Sequence, residues 1–300
     1  MPYPYLLDAI VRGKWAIHDG TAIAYLETAA KLIRGEYSPE NASRRSETNP
    51  IEILLDNGKT MAAGGSNSFD TAPDRSTIII PLQGAMLKYG TMCTYGTEEI
   101  AAVIRQAADS PRIDSIVIDC HSGGGSVDAV APIFDAIAYA KSKVPVVGCV
   151  DLMCSAALYG LLPCDEIMAA NDISCEVGSI GVMMSFMDYA DYYESLGIKE
   201  HLIRSTLSAD KNLAFELARK GDYTQIQTEE LDPIALKFQN DVKAYRGAKL
   251  DLSVEGLLNG RTFFAPDALK NGLIDSIGSM DAAIARAKQL VDIRTINNYY

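Results

Sequence analysis

IDSIVIDCHSGGGSVDAVAPIFDAIAYAKSKVPVVGCVDLMCSAALYGLL, residues 113–162, decides the fold. It opens with an apolar run, turns through three glycines, and continues with Val130, Ile133, Phe134 and Ile137 at helical spacing. A second apolar run, VPVVGCV, then leads through DLMCSAA into a short helix. Neither run alternates polar with apolar, as expected of strands covered on both faces. Strand, helix, strand in this order predicts a βαβ unit with parallel strands. Flanking segments extend it. STIIIPLQGAM (76–86), EIMAA (166–170), GSIGVMMSF (178–186) and HLIRS (201–205) read as strands. TEEIAAVIRQAADS, with Thr97 as N-cap, DYADYYESLG and residues 226–246 read as helices. The class expected is α/β with a mostly parallel sheet.

The N-terminal part has a different texture. Residues 4–34 read as two helices, with Ala22, Tyr25, Leu26, Ala29 and Leu32 at helical spacing. Residues 35–74 are rich in Ser, Asn, Pro and Gly and read as a linker carrying one short strand or helix, IEILL. The organisation expected is a helical segment 1–34, a flexible linker 35–74, a compact domain 75–294 and a tail 295–300.

Bulk properties narrow the function. A hydrophobic fraction of 48% supports a buried core. A net charge of −12 without a basic run argues against a nucleic-acid partner, which needs clustered Lys and Arg. No apolar run reaches the ~18–20 residues of a membrane span. The six cysteines (93, 120, 149, 154, 164, 175) form no C-x-x-C pair and fit no zinc spacing. They read as buried thiols of a reducing compartment, and neither metal nor cofactor is expected.

Two loops carry the candidate chemistry. HSGGGS (121–126) and DLMCSAA (151–157) each follow a strand and open a helix, at the sheet edge where ligand sites form in open α/β folds. Glycines let the backbone approach a ligand and present N–H groups to an oxyanion. Ser155, between Cys154 and the small residues Ala156 and Ala157, is either a helix cap or a nucleophile. Its pairing with a glycine-rich loop favours the nucleophile, with the Ala156 N–H as an oxyanion donor. The base is open. His18, His121 and His201 each have structural readings, and a lysine such as Lys211 serves only where burial keeps it neutral. Neither G-x-S-x-G nor a phosphate loop is present.

HSGGGSV, MCSAALYGLLPCDEIMAA, VGSIGVMM, LGIKEHLIRS with a lysine shortly after, and GRTFFAPDALKNGLIDSIG stand in an order that resembles the signal peptide peptidase A family of serine peptidases. The resemblance spans residues 76–285 and is nearest to phage capsid (prohead) maturation proteases. The N-terminal WAIHDGTAIAYLETAAKL is similar to the leading segment of that branch. The resemblance implies a Clp-protease/crotonase-like βαβ superhelix with an N-terminal helical extension. It implies a Ser–Lys dyad of Ser155 and Lys211, an oxyanion hole of Gly124 and Ala156, and supporting roles for Ser179 and Gly125. Two departures stand out: Gly123 replaces the family's proline, and the loop to Lys211 is longer than usual. Lys199 and Lys220 are poorer alternatives for the base. The implied partners are a protein or peptide substrate (capsid or scaffold protein, or the chain itself) and further copies in a ring- or dome-like homo-oligomer, on which the tyrosines 189, 192 and 193 would bear. The implied location is the bacterial cytoplasm or a procapsid. A cytoplasmic bacterial peptidase, a crotonase-like acyl-CoA enzyme and an idle assembly protein are the alternatives.

Overall fold

The structure is a computed structural model that describes residues 14–17, 51–63, 69–90, 94–186, 188 and 190–297. Its strands in chain order are β1 (Trp15–Ile17), β2 (Ile51–Leu55), β3 (Thr60–Ala63), β4 (Ser76–Gln83), β5 (Ile113–Ser122), β6 (Gly124–Ser126), β7 (Val146–Cys154), β8 (Glu166–Ala169), β9 (Glu176–Gly178), β10 (Thr262–Phe264) and β11 (Ser276–Ile277). The longer helices are α1 (Thr97–Asp109), α2 (Val130–Lys141), α3 (Ala156–Leu161), α4 (Ala190–Ser195), α5 (Leu213–Arg219), α6 (Asp232–Arg246), α7 (Ala265–Lys270) and α8 (Met280–Asn297).

Nine strands form one sheet in the order β10–β9–β7–β5–β4–β2–β3, with β8 also on β7 and β11 on β8. β4, β5 and β7 are parallel neighbours, joined by crossovers through α1 and α2. β8 and β9 run parallel to β7, so the expected α/β class holds.

The unalternating strands are explained by burial on both faces. Ile78, Ile80, Ile116 and Ile118 face the main core, shared with Ile100, Val103, Ile104 and Ala107 of α1 and Ile133 and Ile137 of α2. The residues between them, Ile79 and Val117, join Val147 and Cys149 in a second core closed by Ala283 and Ala287 of α8. Each Ile or Val so buried contributes about 1.5–3 kcal/mol. Five cysteines (120, 149, 154, 164, 175) are buried and free, as expected; Cys93 lies outside the described residues. Burial pushes the thiols of Cys149, Cys154 and Cys175 up to about 12.

Several local expectations need correction. Thr97 is the first helical residue and Gly96 the cap, with its N–H donated to the Glu99 carboxylate at 2.6 Å. IEILL is a strand, but it lies inside the sheet. β2 pairs with both β3 and β4, so the sheet starts at Ile51 rather than near residue 75. Its alternating burial, with Ile51, Ile53 and Leu55 inward, marks a sheet with one covered face. Trp15–Ile17 is a strand rather than helix because two backbone edges pair with it. The rest of the expected helical segment 1–34, the remainder of 35–50 and the terminal 298–300 lie outside the described residues. GSIGVMMSF contributes only its first residue to β9, and HLIRS is irregular, with Ile203 89% exposed. An apolar run becomes a strand only where a sheet edge is there to receive it.

One buried ion pair anchors the C-terminal part to the sheet. Arg246 of α6 grips Asp275 through two bonds of 2.9 and 3.0 Å and donates to the Gly272 carbonyl at 2.7 Å. Asp275 also accepts the Ile167 N–H at 2.8 Å and the Lys249 ammonium at 2.7 Å. Burial alone would raise the carboxyl's pKa, but these donors outweigh it and hold it below its ordinary 3.8. A depressed carboxylate contributes stability above its unfolded pKa, and that contribution is lost as pH falls through the folded value. Arg246→Met is expected to cost up to about 3–5 kcal/mol, because it leaves the buried carboxylate with only the Lys249 ammonium and the Ile167 N–H as partners. Chemical denaturation at pH 7 checks this. The gap between variant and wild type should narrow as pH falls and close only below the wild-type carboxyl's folded value, which lies beneath 3.8.

Candidate active site

β5 and β7 are parallel and end side by side, with Ser122 opposite Met153. The loops that follow, Gly123–Ser126 and Ser155–Ala156, therefore meet at one corner of the sheet. β9 closes that corner from the other side, with Gly178 opposite Cys154. The corner holds Ser155, Ala156, Gly124, Gly125 and Ser179 together.

Ser155 does not behave as a cap. Its side chain makes no capping bond to α3, and its backbone sits at φ 56°, ψ −117°. A non-glycine residue there is strained by about 1–3 kcal/mol and persists only when its surroundings hold it. Here the Ser155 N–H donates to the Gly178 carbonyl at 2.8 Å, and its carbonyl accepts the Tyr159 N–H at 3.0 Å. The residue is 1% exposed. Ser179 is also left-handed, at φ 54°, with its N–H on the Arg261 carbonyl at 2.9 Å. Among the described residues four non-glycines have positive φ, and two of them are these serines.

The glycine loop is equally constrained. Gly124 has φ 96°. A Cβ on Gly125 would lie 2.0 Å from the Met86 carbonyl oxygen, so only glycine lets β6 lie against that backbone. Met86 donates to the Gly124 carbonyl and accepts from the Ser126 N–H, both at 2.9 Å. The Gly124 N–H rests on Ser122 Oγ at a long 3.2 Å. Ala156 opens α3, where a backbone N–H has no intrahelical acceptor.

The candidate bases lie elsewhere. Lys211 is exposed in the turn before α5. Its N–H bonds the Ser208 carbonyl at 3.2 Å and its carbonyl accepts Arg204 Nε at 2.6 Å. That turn belongs to a peripheral unit, residues 186–219, tied together by the Phe186–Phe215 ring contact and the pairs Arg219–Glu200 and Arg204–Glu216. Lys199 and His201 line a cleft within this unit, away from Ser155. Lys220 pairs with Glu216. His121 faces Asp151 at 3.1 Å with both side chains exposed. His18 lies outside the described residues.

Two contributors carry little signal in the sequence. The Gly178 carbonyl, which sets the Ser155 backbone, acts through the main chain. Tyr159 of α3 stacks on Phe238 of α6 at 4.3 Å and donates to Asp241 at 2.5 Å, fixing the helix behind the serine across a long sequence separation.

Comparisons with known proteins bear on this corner. The model of "Peptidase family S49" matches residues 138–294, which include Ser155, Ser179 and Lys211. The chain is 26% identical over 201 residues to Protease 4 of Haemophilus influenzae, covering 66% of this chain and 32% of that protein. It is 28% identical over 227 residues to capsid assembly protease C of Escherichia phage lambda, covering 72% and 49%. It thus spans about a third to a half of these relatives. Among solved structures, a serine-to-alanine mutant of the 1510-N membrane-bound stomatin-specific protease aligns with a TM-score of 0.47 at 15% identity, covering 72% of this chain and 85% of that one. Among the described residues no helix is long and apolar enough to cross a membrane. The family match covers more than half of the chain: this chain belongs to peptidase family S49.

Proposed function

We propose that the chain is a serine endopeptidase in which Ser155 is the nucleophile. The observation that carries this reading is the strained, uncapping Ser155 set beside a glycine loop that tolerates no side chain. Ser155 Oγ attacks the scissile carbonyl carbon and gives its proton to Lys211 Nζ. The resulting oxyanion is held by the N–H groups of Gly124 and Ala156. The lysine returns that proton to the leaving amine, and water then cleaves the acyl-ester with the same lysine as base. Ser179 positions the lysine, and Gly125 keeps β6 against Met86.

The dyad requires Lys211 to leave water and reach the corner, because a solvated ammonium has no lone pair to offer. Assembly supplies a route. Leu202, Ile203 and Leu207, shortly before Lys211, are 56%, 89% and 94% exposed, and a second copy packed over them would bury the lysine's surroundings. We therefore read the working form as a homo-oligomer. Capsid or scaffold proteins are the proposed substrates, supported by the phage relative's name.

A fluorophosphonate probe tests the reading. Mass spectrometry should find a single adduct on Ser155, and the labelling rate should rise with protein concentration in step with mass by light scattering. An adduct elsewhere, or none at any concentration, would overturn the nucleophile. A monomer that labels as fast as any larger form would overturn the assembly step.

A further inference from the structure

β1 is three residues long, yet it is paired along one edge and bridged at Trp15 on the other. On one side it runs antiparallel to the glycine loop, with Trp15 opposite Ser126, Ala16 opposite Gly125 and Ile17 opposite Gly124. The Val127 N–H extends this ladder to the Lys14 carbonyl at 3.0 Å. On the other side Trp15 and Met183 exchange both backbone bonds, at 2.9 and 2.8 Å. Met183 lies four residues beyond Ser179. β1 therefore bridges the two rims of the corner that holds Ser155. Lys14 anchors its start through a 2.8 Å pair with Glu230, and Trp15 is only 6% exposed.

The direction of the strand matters. From Trp15 to Ile17 the chain advances along β6 toward Gly124, the proposed oxyanion donor. On the Ser155 reading, a peptide lying where β1 lies would take the same course, its residues before the scissile bond running along the glycine loop toward Gly124. The slot also suits such a guest. Both rims offer main-chain N–H and C=O groups, so an extended peptide of almost any sequence gains a ladder by lying between them. The same groups would be left unpaired if the slot were empty.

We propose that Lys14–Ile17 occupies the substrate-strand slot of its own chain, so that the N-terminal segment competes in cis with any peptide entering from solution. The proposal rests on the Ser155 reading for what the slot serves, but not for its occupancy. A tethered strand acts at an effective concentration on the order of mM, so an untethered peptide binds measurably only when it displaces β1. The segment is thereby an internal inhibitor whose release admits substrate.

Trp15 is the only tryptophan in the chain, so its emission reports this strand alone. Two changes release it: Ala16→Pro, which removes the N–H facing Gly125 and bars the ladder, and a chain lacking residues 1–17. Both are made in a Ser155→Ala background, so that nothing is cleaved. The probe is a fluorescein-labelled peptide of residues 12–19 with Phe in place of Trp15, followed by anisotropy. We expect blue-shifted Trp15 emission in the parent, a red shift in Ala16→Pro, and peptide affinity at least about 10-fold higher in both released forms. Unchanged affinity in both, with thermal midpoints near the parent's, overturns the proposal. Weaker binding does so too, since it would make β1 a wall of the site rather than its guest. A separate arm returns Ser155 and measures fluorophosphonate labelling. Faster labelling on release supports both readings. No labelling in any form defeats the Ser155 reading alone and leaves occupancy to the anisotropy.

Discussion

Ser155→Ala is expected to lower the rate of peptide-bond hydrolysis by about 10⁴-fold or more, with the fold intact. The size follows from chemistry: the proposed nucleophile combines a strained backbone, burial and a place between two backbone donors. What survives is the background that the donors and binding alone provide. The fold should tolerate the change because the structure gives the Ser155 side chain no capping role. Alanine meets the same backbone strain at φ 56°, so the thermal midpoint should stay close to wild type. Mass spectrometry of the purified chain, alone and mixed with a capsid protein, reads the result through the appearance of cleaved fragments. A variant that still cleaves would transfer the nucleophile to another residue.

Lys211→Arg is expected to be nearly as inactive as Lys211→Ala, both about 10²–10⁴-fold below wild type. Arginine keeps its charge at every accessible pH and cannot take the serine's proton. Initial rates of peptide cleavage for the two variants separate a base from a mere cation: were Lys211 only stabilising negative charge, arginine would restore much of the rate. Full activity in both would point to Lys199 or to a histidine. His121 is engaged with Asp151, and His201 belongs to the peripheral unit. Replacing either is expected to leave the rate near wild type.

Legibility in the sequence tracks the range of the forces involved. The β4–α1–β5–α2–β7–α3 run is readable because each element declares itself through its own apolar period and the turns between them through glycine or serine. Gly124, Gly125, Ser155 and Ala156 are readable for the same reason, since they sit at the ends of those elements. β2 is partly readable: IEILL looks like a strand, but nothing in five residues says that it pairs with β4. β1 reads as helix because WAI has no strand pattern of its own and takes its form from two distant edges. The runs around 182–186 and 201–205 mislead in the opposite sense, being apolar without an edge to join. Lys211 shows the sharpest limit. Motif order singles it out, while the fold leaves its side chain in solvent.

The five buried thiols give this molecule a clock. They lie on β5, on β7, after α3 and just before β9, so they sample the sheet that carries the serine. An alkylating reagent attacks thiolates, and burial denies these sulfurs both the charge and the access. Cys154 is covalently adjacent to Ser155 yet belongs to the interior, so thiol-directed inhibitors should pass over the native centre. Each alkylation event at these positions then records a moment when that part of the sheet stood open. Ordered by rate, the five would chart which strands part first and whether the serine's own strand is the last to let go.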